Sequence, residues 1–246
     1  MNNHHSASIN KPPLLNQLRK RNVYHQAGHA AAIYLGNQEK RLPVVHFQIS
    51  LKTQENTSHN SRRDTRFSGK YLVTLEGGLL IQTLPVSFAE AIRHWSPFEQ
   101  VEYCRAFEAD VTNLLVGPLA EAKYVALRDD EPFNANLVYL NALQYYGGKQ
   151  DLEIINEYMG CFLPDEAERK QKLTALFLAA YSFISKQSNW NAITRLAEFI
   201  LDVSKPELNT VIHCEDIIAL LEPECEPVAG QYTPLLPGYL ETLILR

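Results

Sequence analysis

Positive charge is not in surplus in this chain: 23 lysines and arginines face 28 aspartates and glutamates, for a net charge of -5. A nucleic-acid backbone is gripped chiefly by surplus positive charge, so no nucleic-acid partner is expected. Long apolar runs are missing too. The longest, Leu173 to Ile184, is broken by Thr174 and Ser182 and falls short of the ~20 residues needed to cross a bilayer. Met1 to Lys11 is polar and has no apolar segment of the kind a secretory signal needs. Cysteine is sparse: Cys104, Cys161, Cys214 and Cys225 are far apart and form no C-x-x-C pair. That pattern excludes a zinc knuckle and a compact disulfide framework, and it suits reduced thiols in a cytoplasmic chain without a membrane partner. What is abundant is ordinary core material: 46% of the 246 residues are hydrophobic, enough to bury a sizeable interior.

The hydrophobic pattern predicts a mainly α fold with a small β-sheet. A polar tail (1–12) leads to Pro12-Pro13 and a helix from Leu14 to Leu35, stopped by Gly36-Asn37. Val44 to Leu51 alternates as a strand does, and 52–69 reads as a mobile polar loop. Tyr71 to Glu76 and Leu79 to Leu84 flank Gly77-Gly78 and are expected to pair as a hairpin that ends the β content. Beyond Ser87 the spacing is helical. Cys104, Phe107, Val111, Leu114 and Leu115 share a stripe; Gly117-Pro118 is expected to divide it from a second piece, Leu119 to Leu127. Asn134 to Tyr146 is a further candidate helix. Two apolar stripes, Leu173 to Ile184 and Ile193 to Ile200, predict an antiparallel helix pair turning at Gln187 to Asn189. A short helix near Glu215 to Leu221 closes the 13–222 domain, and the proline-containing 223–246 reads as an extended strap.

The chemically informative segment is Tyr24-His25-Gln26-Ala27-Gly28-His29-Ala30-Ala31-Ala32. Residues four apart on a helix lie one above the other, so His25 and His29 can aim both imidazoles at one ion. In the H-E-x-x-H zinc helix, the glutamate beside the first histidine takes the proton from the attacking water. Gln26 stands at that position here. Eight histidines make one such pair unremarkable by chance. The run of small residues around it adds weight, because a helix interior glycine costs about 1 kcal/mol relative to alanine unless a neighbour needs the space.

Taken in order, the segments resemble the proteolytic domain of the FtsH family of ATP-dependent zinc metallopeptidases, whose signature helix reads H-E-A-G-H followed by small residues. Val44-Val45-His46-Phe47-Gln48-Ile49 is similar to the strand after that helix, and Val116-Gly117-Pro118-Leu119-Ala120-Glu121 to the family's G-R-x-A-E helix. Gly147-Gly148-Lys149-Gln150-Asp151-Leu152 resembles its G-x-x-x-D-L segment, and Trp190 to Leu201 with Glu215 to Leu221 its last helices. The resemblance implies an FtsH-peptidase-like helical domain binding Zn2+ through His25, His29 and Asp151, with a peptide, an unfolded protein segment or a protein partner in the cleft. It leaves the oligomeric state open. By the residues alone, Asp151 could equally cap its helix.

Three departures shape the functional expectation. Gln26 has the shape of glutamate but cannot accept a proton at neutral pH, which removes roughly 10²- to 10⁴-fold of general-base assistance. Pro118 takes the family's arginine position. No G-x-x-x-x-G-K-[ST] loop occurs, so no ATP site is expected. The sequence therefore predicts a metal-binding, metallopeptidase-like protein with impaired proteolysis. An active peptidase with a relocated base, Glu121 first and then Glu153 or Glu157, and a metal-free interaction module remain open. His46, His213 and Cys104 read as structural or surface groups, the thiol being a candidate for burial on its apolar stripe.

Overall fold

The computed structural model describes residues 11–53, 71–136, 138–204 and 209–222. The expected tail (1–12), loop (52–69) and strap (223–246) lie outside these residues, except where they enter the first helix and first strand. Among the described residues the fold is mainly helical with one small antiparallel sheet. In chain order the elements are α1 (Lys11–Ala31), α2 (Asn37–Glu39), β1 (Phe47–Thr53), β2 (Tyr71–Gly77), α3 (Phe88–Ala91), α4 (Pro97–Arg128), α5 (Lys149–Phe162), α6 (Glu166–Ser185), α7 (Gln187–Val203), β3 (Thr210–Ile212) and α8 (Cys214–Leu221). No helix among them is long and apolar enough to cross a membrane.

Two long helices, α1 and α4, cross at the centre because both carry small residues there. A Cβ placed on Gly28 would lie 2.6 Å from the Ala120 Cβ, so the backbones touch only through glycine. Ala27, Ala30 and Ala31 on one side and Val116, Leu119 and Ala120 on the other are fully buried. The close approach anticipated from the small-residue run is therefore what α4 exploits.

Helix α4 corrects one expectation. It runs without a break through Gly117 and Pro118, starting at a capping box between Ser96 and Glu99 with Pro97 next in line. A proline in a helix interior costs about 3 kcal/mol. Full burial of Leu115, Val116 and Leu119, each contributing roughly 1.5–3 kcal/mol, outweighs that cost and keeps the rod whole. Nor does Gly36-Asn37 end the first helix. A π-helical turn, Ala32–Gly36, carries it into α2, because Asn37 is buried and accepts the Asn113 side-chain amide at 3.2 Å. Reversal waits until Arg41, whose φ is 54°.

The sheet order is β2-β1-β3, with Ile49 opposite Leu75 on one side and Ile212 on the other. Hence β2 pairs with β1, not with Leu79 to Leu84. That segment forms no strand because its amides have another acceptor: Leu80 and Ile81 each donate to the Asp110 carboxylate at 2.9 Å. Gly77 and Gly78, both with positive φ, lead the chain off the sheet past His46, whose carbonyl accepts the Gly78 N–H at 3.0 Å. The third strand, β3, is an addition to the sequence reading. Another correction concerns Asn134 to Tyr146, where only Leu140–Tyr145 coils, as a 3-10 turn anchored by buried Leu143. The two helices α6 and α7 follow one another as expected, but the turn falls at Lys186, and Gln187 to Asn189, expected to form it, are the first turn of α7.

Candidate metal centre

Three elements build the site. Helix α1 presents His25 and His29 one turn apart, α4 forms the floor beneath them, and the first turn of α5 brings Asp151 in from the side. On α4, Asn113, Gly117 and Glu121 recur every four residues and so share the face turned to the histidines. Each has a distinct use. A Cβ on Gly117 would overlap the His29 ring, so glycine there is the space in which that imidazole lies. The Asn113 carbonyl accepts the His29 Nδ1–H at 2.9 Å, and Glu121 Oε2 accepts the His25 Nδ1–H at 3.3 Å. The Tyr146 carbonyl accepts the same proton at 3.2 Å. Next to it, Gly147 has φ of 72°, and a side chain there would press on Glu121 and His25 at 2.8 and 2.9 Å.

Because all the Nδ1 partners are acceptors, both rings carry a proton on Nδ1 and turn Nε2 inward, the nitrogen that a metal ion would take in place of a proton. Those two nitrogens lie 2.9 Å apart. Asp151 completes the group, with Oδ2 3.1 Å from His25 Nε2 and Oδ1 3.3 Å from His29 Nε2. Two lone pairs and a carboxylate at such range repel unless something positive sits among them. Atoms held about 2.0–2.1 Å from a tetrahedral zinc lie about 3.3 Å from one another, which is close to the spacing found. Outward hydrogen bonds from Nδ1 to a carboxylate and to carbonyls are the arrangement that orients metal-binding imidazoles. Among the described residues, His25, His29 and Asp151 are the group that could hold a metal ion. The donor set thus fits a divalent transition metal.

Electrostatics agree with that geometry. Burial works against charge on His25, yet the Asp151 carboxylate beside it, together with its hydrogen bonds to Asp151 and Glu121, pushes its pKa up to about 10. Burial likewise opposes ionisation of Asp151, but His29 and His25 hold it well below the usual carboxylate range. A cavity that draws a proton this strongly is one that favours a cation. Asp151 is not a helix cap: Gly148 holds the N-cap position of α5, and the aspartate's oxygens go to the histidines. Its first-turn position also sets its charge against the positive end of α5.

The remaining sequence-level candidates fall elsewhere. Gln26 turns to the sheet, its Oε1 accepting the Leu75 N–H at 2.8 Å. Glu121 lies on the Nδ1 side of His25, away from the inward nitrogens, and is paired with Arg21 at 2.7 Å. Glu153 and Glu157 are exposed on α5, and His46 and His213 are exposed singly. Cys104 is only partly buried, although burial still raises its pKa. Missed from the sequence were Arg21, Asn113 and the Tyr146 carbonyl; the four-residue spacing of Asn113, Gly117 and Glu121, matching that of the histidines, was the available signal. The chain matches no family model, no curated protein and no solved structure.

Proposed function

We propose that this chain is an FtsH-type metallopeptidase-like domain, holding zinc on His25, His29 and Asp151 and impaired in hydrolysis by Gln26. The observation that carries the reading is the convergence of three side chains, with the two Nε2 atoms 2.9 Å apart and one Asp151 oxygen 3.1–3.3 Å from each, and with both Nδ1 atoms bonded outward. His25, His29 and Asp151 would hold the zinc, and the bound ion would supply Lewis acidity toward a peptide carbonyl. The chain's own residues then do less than a peptidase requires. Gln26 is an amide, with no proton affinity at neutral pH, and its oxygen is engaged by Leu75. Glu121 cannot easily replace it, being bonded to Arg21 and to the outer side of His25.

Binding is the activity that survives such a loss. The Asp151 side chain is 13% open to solvent, and in this reading the site holds a peptide or unfolded protein segment without efficient cleavage. The described cysteines, Cys104, Cys161 and Cys214, are unpaired, which suits a cytoplasmic setting. Elemental analysis of the chain purified without added metal tests the reading: near one equivalent of zinc is expected, lost in H29A and in D151N. Substoichiometric metal in all three proteins would leave a metal-free interaction module as the answer.

A further inference from the structure

The metal reading leaves a question about His25. Its Nδ1 proton has two acceptors, Glu121 Oε2 and the Tyr146 carbonyl, at 3.3 and 3.2 Å, and neither is short. By contrast, His29 has one, the Asn113 carbonyl, fixed within the α4 backbone at 2.9 Å. His25 therefore depends on a flexible glutamate and on the end of a 3-10 turn. Something has to hold both still.

Arg21 touches both. It lies one turn before His25 on α1 and donates through Nε to Glu121 Oε1 at 2.8 Å, with Nη2 also 2.7 Å from that oxygen. The same Nη2 donates to the Tyr145 carbonyl at 2.9 Å, and the guanidinium lies 6.0 Å from the centre of the Tyr146 ring. One planar fork thus ties α1 to Glu121 on α4 and to the Tyr145–Tyr146 turn. Glu121 is left with Oε2 for His25, and the Tyr146 carbonyl is fixed in place by its neighbour and its own ring. A lysine could reach only one of these partners at a time.

We infer that Arg21 is the positioning residue of this metal site, holding both acceptors of the His25 Nδ1 proton so that Nε2 stays aimed at His29 and Asp151. The inference rests on the metal reading above, and it adds a residue that contacts no donor atom itself. Losing an outer partner of a metal-binding histidine lowers metal affinity about 10- to 100-fold.

Zinc titration of the full chain against a competing chelator, for wild type, R21M and R21K, tests it. R21M is expected to weaken zinc binding about 10- to 100-fold, with R21K between the two. Long-range 15N spectra of the zinc-loaded proteins supply a readout that mere loss of packing would not produce: the Nδ1-bound proton of His25 weakens or exchanges in R21M while that of His29 is unchanged. Partly exposed Arg21 can be removed without opening the core, and the thermal transition of the metal-free variants checks this. Equal affinity in wild type and R21M overturns the role of Arg21 and leaves the metal reading standing, as does equal disturbance of both histidines. Failure of wild type to take up zinc overturns both.

Discussion

Gln26 and Leu75 are joined by a hydrogen bond of 2.8 Å, from the strand amide to the side-chain carbonyl. One turn earlier, the Asn22 side chain accepts the Val73 N–H at 3.2 Å. Consecutive outward amides on the free side of β2 are thereby satisfied by α1, the helix that also carries the histidines. Gln26, next to the first of the two histidines, is thus part of the join between helix and sheet.

Two substitutions separate those roles. Q26A removes the acceptor of a partly buried amide and is expected to destabilise the fold by about 1 kcal/mol, read by urea unfolding, while metal content is unchanged. Q26E keeps an acceptor and adds proton affinity. Rotated from the Leu75 N–H toward the metal site, the new carboxylate is expected to raise hydrolysis of an unfolded casein-like substrate by roughly 10²- to 10⁴-fold, with the gain abolished by chelation and by a second change, H29A. No gain in a zinc-loaded Q26E protein would count against a metallopeptidase-like cleft.

Gly117 and Gly160 predict opposite outcomes for the same change. G117A drives a methyl group into the His29 ring and is expected to abolish stoichiometric zinc binding, with a stability loss of about 1–3 kcal/mol from overpacking. Gly160 lies in α5 with nothing within 4 Å of an added Cβ. G160A should raise stability by about 0.5–1 kcal/mol and leave metal uptake unaltered. Chemical denaturation and elemental analysis of both variants decide the matter.

Asp110 gives the fold a pH dependence of its own. Burial pushes its pKa up to about 6, outweighing hydrogen bonds from Leu80, Ile81 and Tyr158. Unfolding would return it to about 3.9. Between those values the folded chain keeps a proton that the unfolded chain has released, so this contribution to stability falls as pH rises from about 4 to 6, by about 3 kcal/mol in all. Unfolding free energies measured across that window should decline in wild type relative to D110N. A parallel course for the two proteins would show that Asp110 titrates normally.

How far the sequence revealed this site depended on the kind of group involved. The histidine pair was legible because helix periodicity alone stacks residues four apart. Asp151 was not, since nothing local separates an ion-binding carboxylate from a capping one; the family resemblance selected it. The Asn113 and Tyr146 acceptors are main-chain carbonyls, which carry no residue identity to read. Among the elements, β3 is three residues long, too short for alternation to register. Local signals misled at Pro118, where burial on both flanks overrode a helix breaker, and at Leu79 to Leu84, whose amides were claimed by a buried carboxylate.

The three donors belong to segments far apart in the chain, with α1 supplying two and α5 the third. An ion seated there is therefore a rivet through the tertiary structure, and its release is coupled to unfolding. Free zinc at about 100 times the dissociation constant would add about 2.7 kcal/mol to the native state. The abundance of a single element in its surroundings would then set how long this molecule survives heat and proteolysis, whether or not it ever cuts a peptide.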